Sequence, residues 1–143
     1  MSGAIVIVDA PAAYDRAHDL VWVLTTPRRL GEQQTIYFNG SNKPEPLELR
    51  ADERYRIRLI NIHTRRPSMI LRLQRDSTPV SWRPIAKDGM DLPPDQIIAR
   101  PSVQQLGNGE AYDFELIPQA GDLMVTVSSA AGQLLVTMPV RVR

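Results

Sequence analysis

Glu53-Arg54-Tyr55-Arg56-Ile57-Arg58-Leu59-Ile60-Asn61 is the stretch from which the rest of the chain is read. Tyr55, Ile57 and Leu59 share one parity, and Arg54, Arg56 and Arg58 share the other. That is the period of a strand with one face in a core and the other in water; a helix would scatter the arginines around its circumference. The same period recurs outward along the chain. Met69, Leu71 and Leu73 repeat it, and Tyr112, Phe114 and Leu116 alternate with Asp113 and Glu115. Leu123, Val125 and Val127 form a further set, and Val136, Met138, Val140 and Val142 close the chain. Residues 4–8, 20–24, 35–38 and 47–49 are earlier strand candidates, and 80–86 and 97–103 are weaker ones.

Turn chemistry separates these runs. Asn39-Gly40, Lys43-Pro44-Glu45-Pro46, Asp88-Gly89, Pro93-Pro94, Gly107-Asn108-Gly109 and Ala120-Gly121-Asp122 all fall between strand candidates. One weak helical turn is expected over residues 10–17. Pro139, inside the last run, predicts an edge position or a bulge. About ten short strands without a long helical period predict an all-β, antiparallel sandwich or barrel, and two tyrosine-corner spacings favour a Greek-key β-sandwich. No linker interrupts residues 1–143, which are read as one domain. Leu106-Gly107-Asn108-Gly109-Glu110-Ala111-Tyr112 has the spacing of a tyrosine corner, in which a Tyr hydroxyl bonds back to the upstream backbone. The run from Leu49 to Tyr55 repeats that spacing, with Asp52 in place of Gly109.

Composition excludes several kinds of chemistry. The 143 residues are 43% hydrophobic and 23% charged, an ordinary globular balance with room for a core. Cysteine is absent, which removes disulfides, thiolate ligands and a thiol nucleophile together. No apolar run approaches the roughly 20 residues that cross a bilayer. The N-terminal Met1-Ser2-Gly3-Ala4-Ile5-Val6-Ile7-Val8 lacks a basic lead and reads as a strand that starts abruptly, not as a signal peptide. Net charge is only +1, yet the charge is segregated. Residues 50–75 hold eight arginines against Asp52 and Glu53, while residues 88–122 hold seven carboxylates against Arg100. The expected use is pairing of basic with acidic strands, within the sandwich or across an interface, and no nucleic acid is expected on the basic face.

Taken in order, several of these segments resemble the second cupredoxin domain of multicopper oxidases, the laccase-like enzymes. The matching pieces are Ser2-Gly3-Ala4-Ile5-Val6-Ile7-Val8, Phe38-Asn39-Gly40 with Pro46-Leu47-Glu48-Leu49, and residues 53–61. Ala86-Lys87-Asp88-Gly89 with Pro93 and Gly109-Glu110-Ala111-Tyr112-Asp113 complete the series. The first piece resembles the strand that leaves the family's first domain, so the chain resembles a piece of a larger multidomain oxidase. The resemblance implies a parent oxidoreductase that couples substrate oxidation to oxygen reduction with copper, exported to the periplasm or secreted. Its partners would be neighbouring cupredoxin domains, with no membrane contact.

The departures shape the functional expectation. A type 1 copper site needs a Cys thiolate and two His, and the family's trinuclear cluster needs His-x-His motifs. This chain has only His18 and His63, no His-x-His and no cysteine. No catalytic, cofactor-binding or metal-ligating residue is therefore carried over. Asn61, Asp88, Gly89, Tyr112 and Asp113 are the expected structural or interface positions. His18 reads as a surface residue and His63 as part of a loop. Ser128-Ser129 reads as the start of a hairpin loop and not as a nucleophile elbow. Asp88, Asp91 and Asp95 read as a structural turn in preference to a calcium loop. The expected function is a copper-free structural domain; a stand-alone β-sandwich that binds a protein partner is the alternative.

Overall fold

Alternation of side chains produces short strands throughout the computed structural model, which describes residues 5–8, 10, 13–26, 36–66 and 68–143. Among these, the strands are β1 (Asp19–Thr25), β2 (Tyr37–Phe38), β3 (Leu47–Leu49), β4 (Tyr55–Asn61), β5 (Ser68–Arg75), β6 (Thr78–Pro79) and β7 (Ser81–Lys87). They continue with β8 (Met90–Asp91), β9 (Arg100–Pro101), β10 (Val103–Gly107), β11 (Ala111–Leu116), β12 (Leu123–Ser129) and β13 (Leu134–Val142). The first sheet runs β2-β1-β4-β11-β7-β8, with β9 attached to β7. The second runs β10-β5-β12-β13-β3, with β6 attached to β5. Neighbours that are far apart in sequence, such as β4 with β11 and β5 with β12, make this a Greek-key β-sandwich.

The inward parity of each strand fills one core between the sheets. Ile57 and Leu59 from β4, Leu71 and Leu73 from β5, Phe114 from β11 and Val125 from β12 are completely buried. Trp82 stacks on Phe114 with ring centres 3.8 Å apart. Each fully buried large apolar side chain contributes about 1.5–3 kcal/mol relative to an exposed one.

Four expectations need correction or qualification. The sandwich is not wholly antiparallel: β1 runs parallel to β4, with Leu20 opposite Ile57, and β13 runs parallel to β3, with Val142 opposite Leu49. A two-residue period fixes which face a residue occupies and is blind to strand direction. Residues 5–8 form no strand, and Ile5 and Ile7 are 88% and 89% exposed; residues 1–4 lie outside the described residues. Over the candidate turn at 10–17, residues 13–17 form no α-helix, while residues 11 and 12 lie outside the described residues. Of the candidate at 35–38, only β2 forms among the described residues, and Thr35 lies outside them.

Pro139 does not mark an edge strand, because β13 lies between β12 and β3; it sits where the β3 side of β13 is still unpaired. It faces Met124 of β12, and pairing on the other side of β13 begins only at Val140 opposite Leu47. The irregularity in this pair lies instead between Val127 and Ser128. Asp88-Gly89 joins β7 to β8 with φ of 49° and 82°, the left-handed pair that a two-residue hairpin turn requires.

The two tyrosine-corner spacings diverge. The Tyr55 hydroxyl accepts the Arg50 N–H at 2.8 Å, which pins the chain between β3 and β4. The Tyr112 hydroxyl instead donates to the Glu110 carboxylate at 3.4 Å. Glu110 itself accepts the Gly107 N–H at 2.6 Å, so a carboxylate closes that loop in place of the phenol.

Candidate functional site

Two sheet ends meet at residues 107–111, the loop that connects β10 of the second sheet to β11 of the first. Asn61, the last residue of β4, is fully buried against this loop. Its Nδ2 donates to the Gly107 carbonyl at 2.9 Å, and its Oδ1 accepts the His63 N–H at 3.0 Å. Its backbone is engaged as well: Asn61 N–H donates to Glu110 O at 3.0 Å, and Gly109 N–H donates to Asn61 O at 2.8 Å. A buried amide is tolerated because it is bonded in this way.

Asp88 reaches the same loop from β7. Its N–H donates to Ala111 O, and its Oδ1 accepts the Ala111 N–H, both at 2.9 Å. Gly89 completes the adjoining turn, where no atom lies within 4 Å of a built Cβ, so the positive φ is what favours glycine. Tyr112 is the first inward residue after the loop, and Lys87 lies 5.2 Å from its ring centre. Lys87 also pairs with Glu110 at 3.3 Å; the Tyr112 hydroxyl and then Glu110 raise the Lys87 pKa. Asn61, Asp88, Gly89 and Tyr112 thus converge on one junction.

Asp113 belongs to a different feature, the outer face of the first sheet. Its carboxylate accepts from Arg56 at 2.6 Å and Arg58 at 2.9 Å. Arg58 extends the chain of charges to Asp19 of β1 at 2.9 Å, and Glu115 bridges Arg54 and Arg83 at 2.7 and 2.6 Å. The basic strand expected from the sequence is thus paired with acidic β11 inside the same sheet. An arginine face neutralised in this way offers little free charge to a phosphate backbone. Residues 5–8 and this face together line a trough of about 810 Å³.

Both histidines are committed to local bonds. His18 Nδ1 lies 2.6 Å from Asp15 and Nε2 lies 3.0 Å from Glu53, so the imidazolium donates to both carboxylates. The bond to Asp15, then that to Glu53, raises its pKa. Glu53 also accepts from the Tyr55 hydroxyl at 3.2 Å, which ties the cluster to the tyrosine corner. His63 is buried, where the sequence indicated only a loop. Its Nδ1 accepts the Arg65 N–H at 3.1 Å, leaving the ring proton on Nε2. Burial, followed by Arg66 and Arg65, lowers its pKa.

A type 1 copper centre does not fit these side chains. There is no thiolate in the chain, and each histidine has a ring nitrogen in a bond that coordination would break. Among the described residues, no group of three His, Cys, Asp or Glu side chains could hold a metal ion. Glu110, Asp19, Asp15 and Glu53 were not singled out from sequence. The acid at i−3 from His18 and the alternating acids of β11 were the available signals, but their partners come from strands distant in sequence.

Comparison with known proteins addresses the fold. No family model and no curated protein matches the chain. Among solved structures, Fet3p, described as a multicopper oxidase that functions in iron import, superposes with a TM-score of 0.68 at 11% identity. That match covers 94% of this chain and 29% of Fet3p. A laccase-like multicopper oxidase, CueO, from the lignin-degrading bacterium Ochrobactrum sp. gives 0.63 at 19% identity, covering 89% of this chain and 31% of its own. The blue copper oxidase from Nitrosomonas europaea gives 0.64 at 15% identity, covering 94% and 46%. The fold is that of the cupredoxin-like domains of these oxidases, and the chain spans less than half the length of each of these three structures.

Proposed function

We propose that this chain is a copper-free structural domain of a multicopper-oxidase-like protein, holding neighbouring cupredoxin domains in position. One observation carries the reading: a cupredoxin-like fold matched over about nine-tenths of the chain, in a sequence that has no cysteine for a type 1 site. Residues 1–143 then act as one domain. Asn61, Asp88, Gly89 and Tyr112 hold the junction at residues 107–111, and Asp113 holds the ion-paired face. None of them is catalytic. The oxidation of substrate and reduction of oxygen belong to copper-bearing partner domains, and this domain contributes their spacing and part of the wall between them.

The exposed Ile5 and Ile7 support an interdomain role, because these apolar side chains beside the charged sheet are left available to a neighbour. A parent of this family would act in the periplasm or outside the cell. Mass spectrometry of the mature protein from its source tests the reading. The expected result is one polypeptide that contains this sequence together with His-x-His-bearing domains and bound copper. A mature chain limited to these residues, purified without such partners, would overturn it in favour of a stand-alone protein-binding sandwich.

A further inference from the structure

One imidazole joins the turn before β1 to the corner before β4. The turn is closed locally, since His18 N–H and Asp19 N–H donate to Asp15 O at 3.1 and 2.6 Å. Ala17 N–H donates to the Asp15 carboxylate at 2.9 Å. Opposite stands Glu53, which accepts from the Tyr55 hydroxyl at 3.2 Å while that hydroxyl accepts the Arg50 N–H at 2.8 Å. The corner is braced from within, whereas the Asp15 side chain is 62% exposed. Among the described residues, the His18 bond to Glu53 is the one side-chain hydrogen bond that joins residues 13–18 to residues 50–55. The backbone adds a bond from Arg56 N–H to His18 O at 2.8 Å.

We propose that His18 is a pH-operated latch: its imidazolium clamps the turn at residues 13–18 to the braced corner, and loss of one proton releases that turn while the sandwich stays folded. Holding both partners takes two N–H donors, because ionised carboxylates only accept. A neutral ring has one donor, so it keeps one carboxylate and turns a lone pair toward the other. Whichever bond is kept, the bridge from turn to corner is broken.

The surrounding charges set the direction of the response. Asp15 and Glu53 contact the ring, and Asp19 accepts the Asp15 N–H at 3.3 Å beside them. The neighbouring cations of β4 are drawn elsewhere: Arg58 to Asp19 and Asp113, Arg56 to Asp113, and Arg54 to Glu115. Arg50 stands 4.0 Å from Glu53, Arg16 is exposed on the turn, and the Tyr55 ring centre lies 5.1 Å from that of His18. Asp15 first, and then Glu53, raise the His18 pKa, so the latch is closed at pH 6.5 and opens as pH rises through the higher folded value. Ala13 and His18 also line the trough beside residues 5–8, and an open latch loosens that end of it.

Residue-resolved hydrogen exchange on the full-length protein from about pH 6 to about pH 9, corrected for the intrinsic rate at each pH, tests the latch. Protection of the Ala17, His18 and Asp19 amides should fall about three- to tenfold as His18 loses its proton, while the β11 amides keep theirs. The midpoint should coincide with that of the His18 ring followed by NMR. Glu53→Gln leaves a neutral acceptor and should move both midpoints to lower pH, whereas His18→Gln should make protection of the turn constant with pH. Constant protection of the turn in the unaltered protein would overturn the proposal. So would a fall whose midpoint fails to move with that of His18 in Glu53→Gln. A parallel loss of protection in β11 would overturn it too, because that reports unfolding of the whole sandwich.

Discussion

Asn61 joins the two sheets through one amide, since its donor reaches the Gly107 carbonyl while its acceptor receives the His63 N–H. Asn61→Ala leaves the buried His63 N–H and the part-buried Gly107 carbonyl without that partner, and each such loss costs about 1–3 kcal/mol. Urea denaturation should show a stability loss on the order of 3 kcal/mol, and a loss below about 1 kcal/mol would contradict the structural role. The two histidines make an opposing pair. His18 is raised by Asp15 and Glu53, so its contribution is fully present below the unfolded value of 6.5 and is lost as pH rises through its folded pKa. Asp15 and Glu53 are lowered, chiefly by the bond to His18; their share is present above ordinary carboxylate values and lost as pH falls through their folded values. His63 is lowered by burial, so it costs nothing above 6.5 and destabilises the fold as pH falls from there toward its folded pKa. An NMR titration should place the His18 midpoint above 6.5 and the His63 midpoint below it; the reverse order would contradict the local geometry.

At the scale of elements, the paired face of the first sheet is where charge affects stability most. The Arg58 and Asp113 side chains are only 14% and 16% exposed, and Asp113 serves Arg56 as well. Asp113→Asn should cost about 1–3 kcal/mol, with a smaller loss in high salt. Glu48→Gln breaks the pair with Arg141, whose partners are 59% and 48% exposed, and should change stability by less than about 0.5 kcal/mol. Thermal unfolding of the two variants side by side checks the ranking, and equal effects would contradict it. Most of these strands were legible because an inward apolar residue recurs at every second position from Tyr55 to Leu59 and from Met69 to Leu73. The parallel pairing of β1 with β4 was not legible, because Leu20 and Trp22 suit the inner face in either direction. Tyr112 illustrates a related limit. Its spacing matched a corner, but the neighbouring Glu110 carboxylate reaches Gly107 N–H first.

For the whole molecule, the sandwich could be read from alternation and turns, and the missing thiolate from a count of residues. The junction was only partly legible: Asn61 ends β4 and Asp88 opens the turn after β7, yet their shared partner, residues 107–111, lies far from both in sequence. The segregation of basic and acidic strands was visible in advance, whereas which of them lie side by side needed the strand order. The central claim is that a cupredoxin-like fold is retained here without a copper centre. Titrating the purified chain with copper, followed by electron paramagnetic resonance and visible absorption, tests it most directly. The prediction is no type 1 signal and no intense blue thiolate-to-copper band at any ratio, and one equivalent of copper giving both would contradict it.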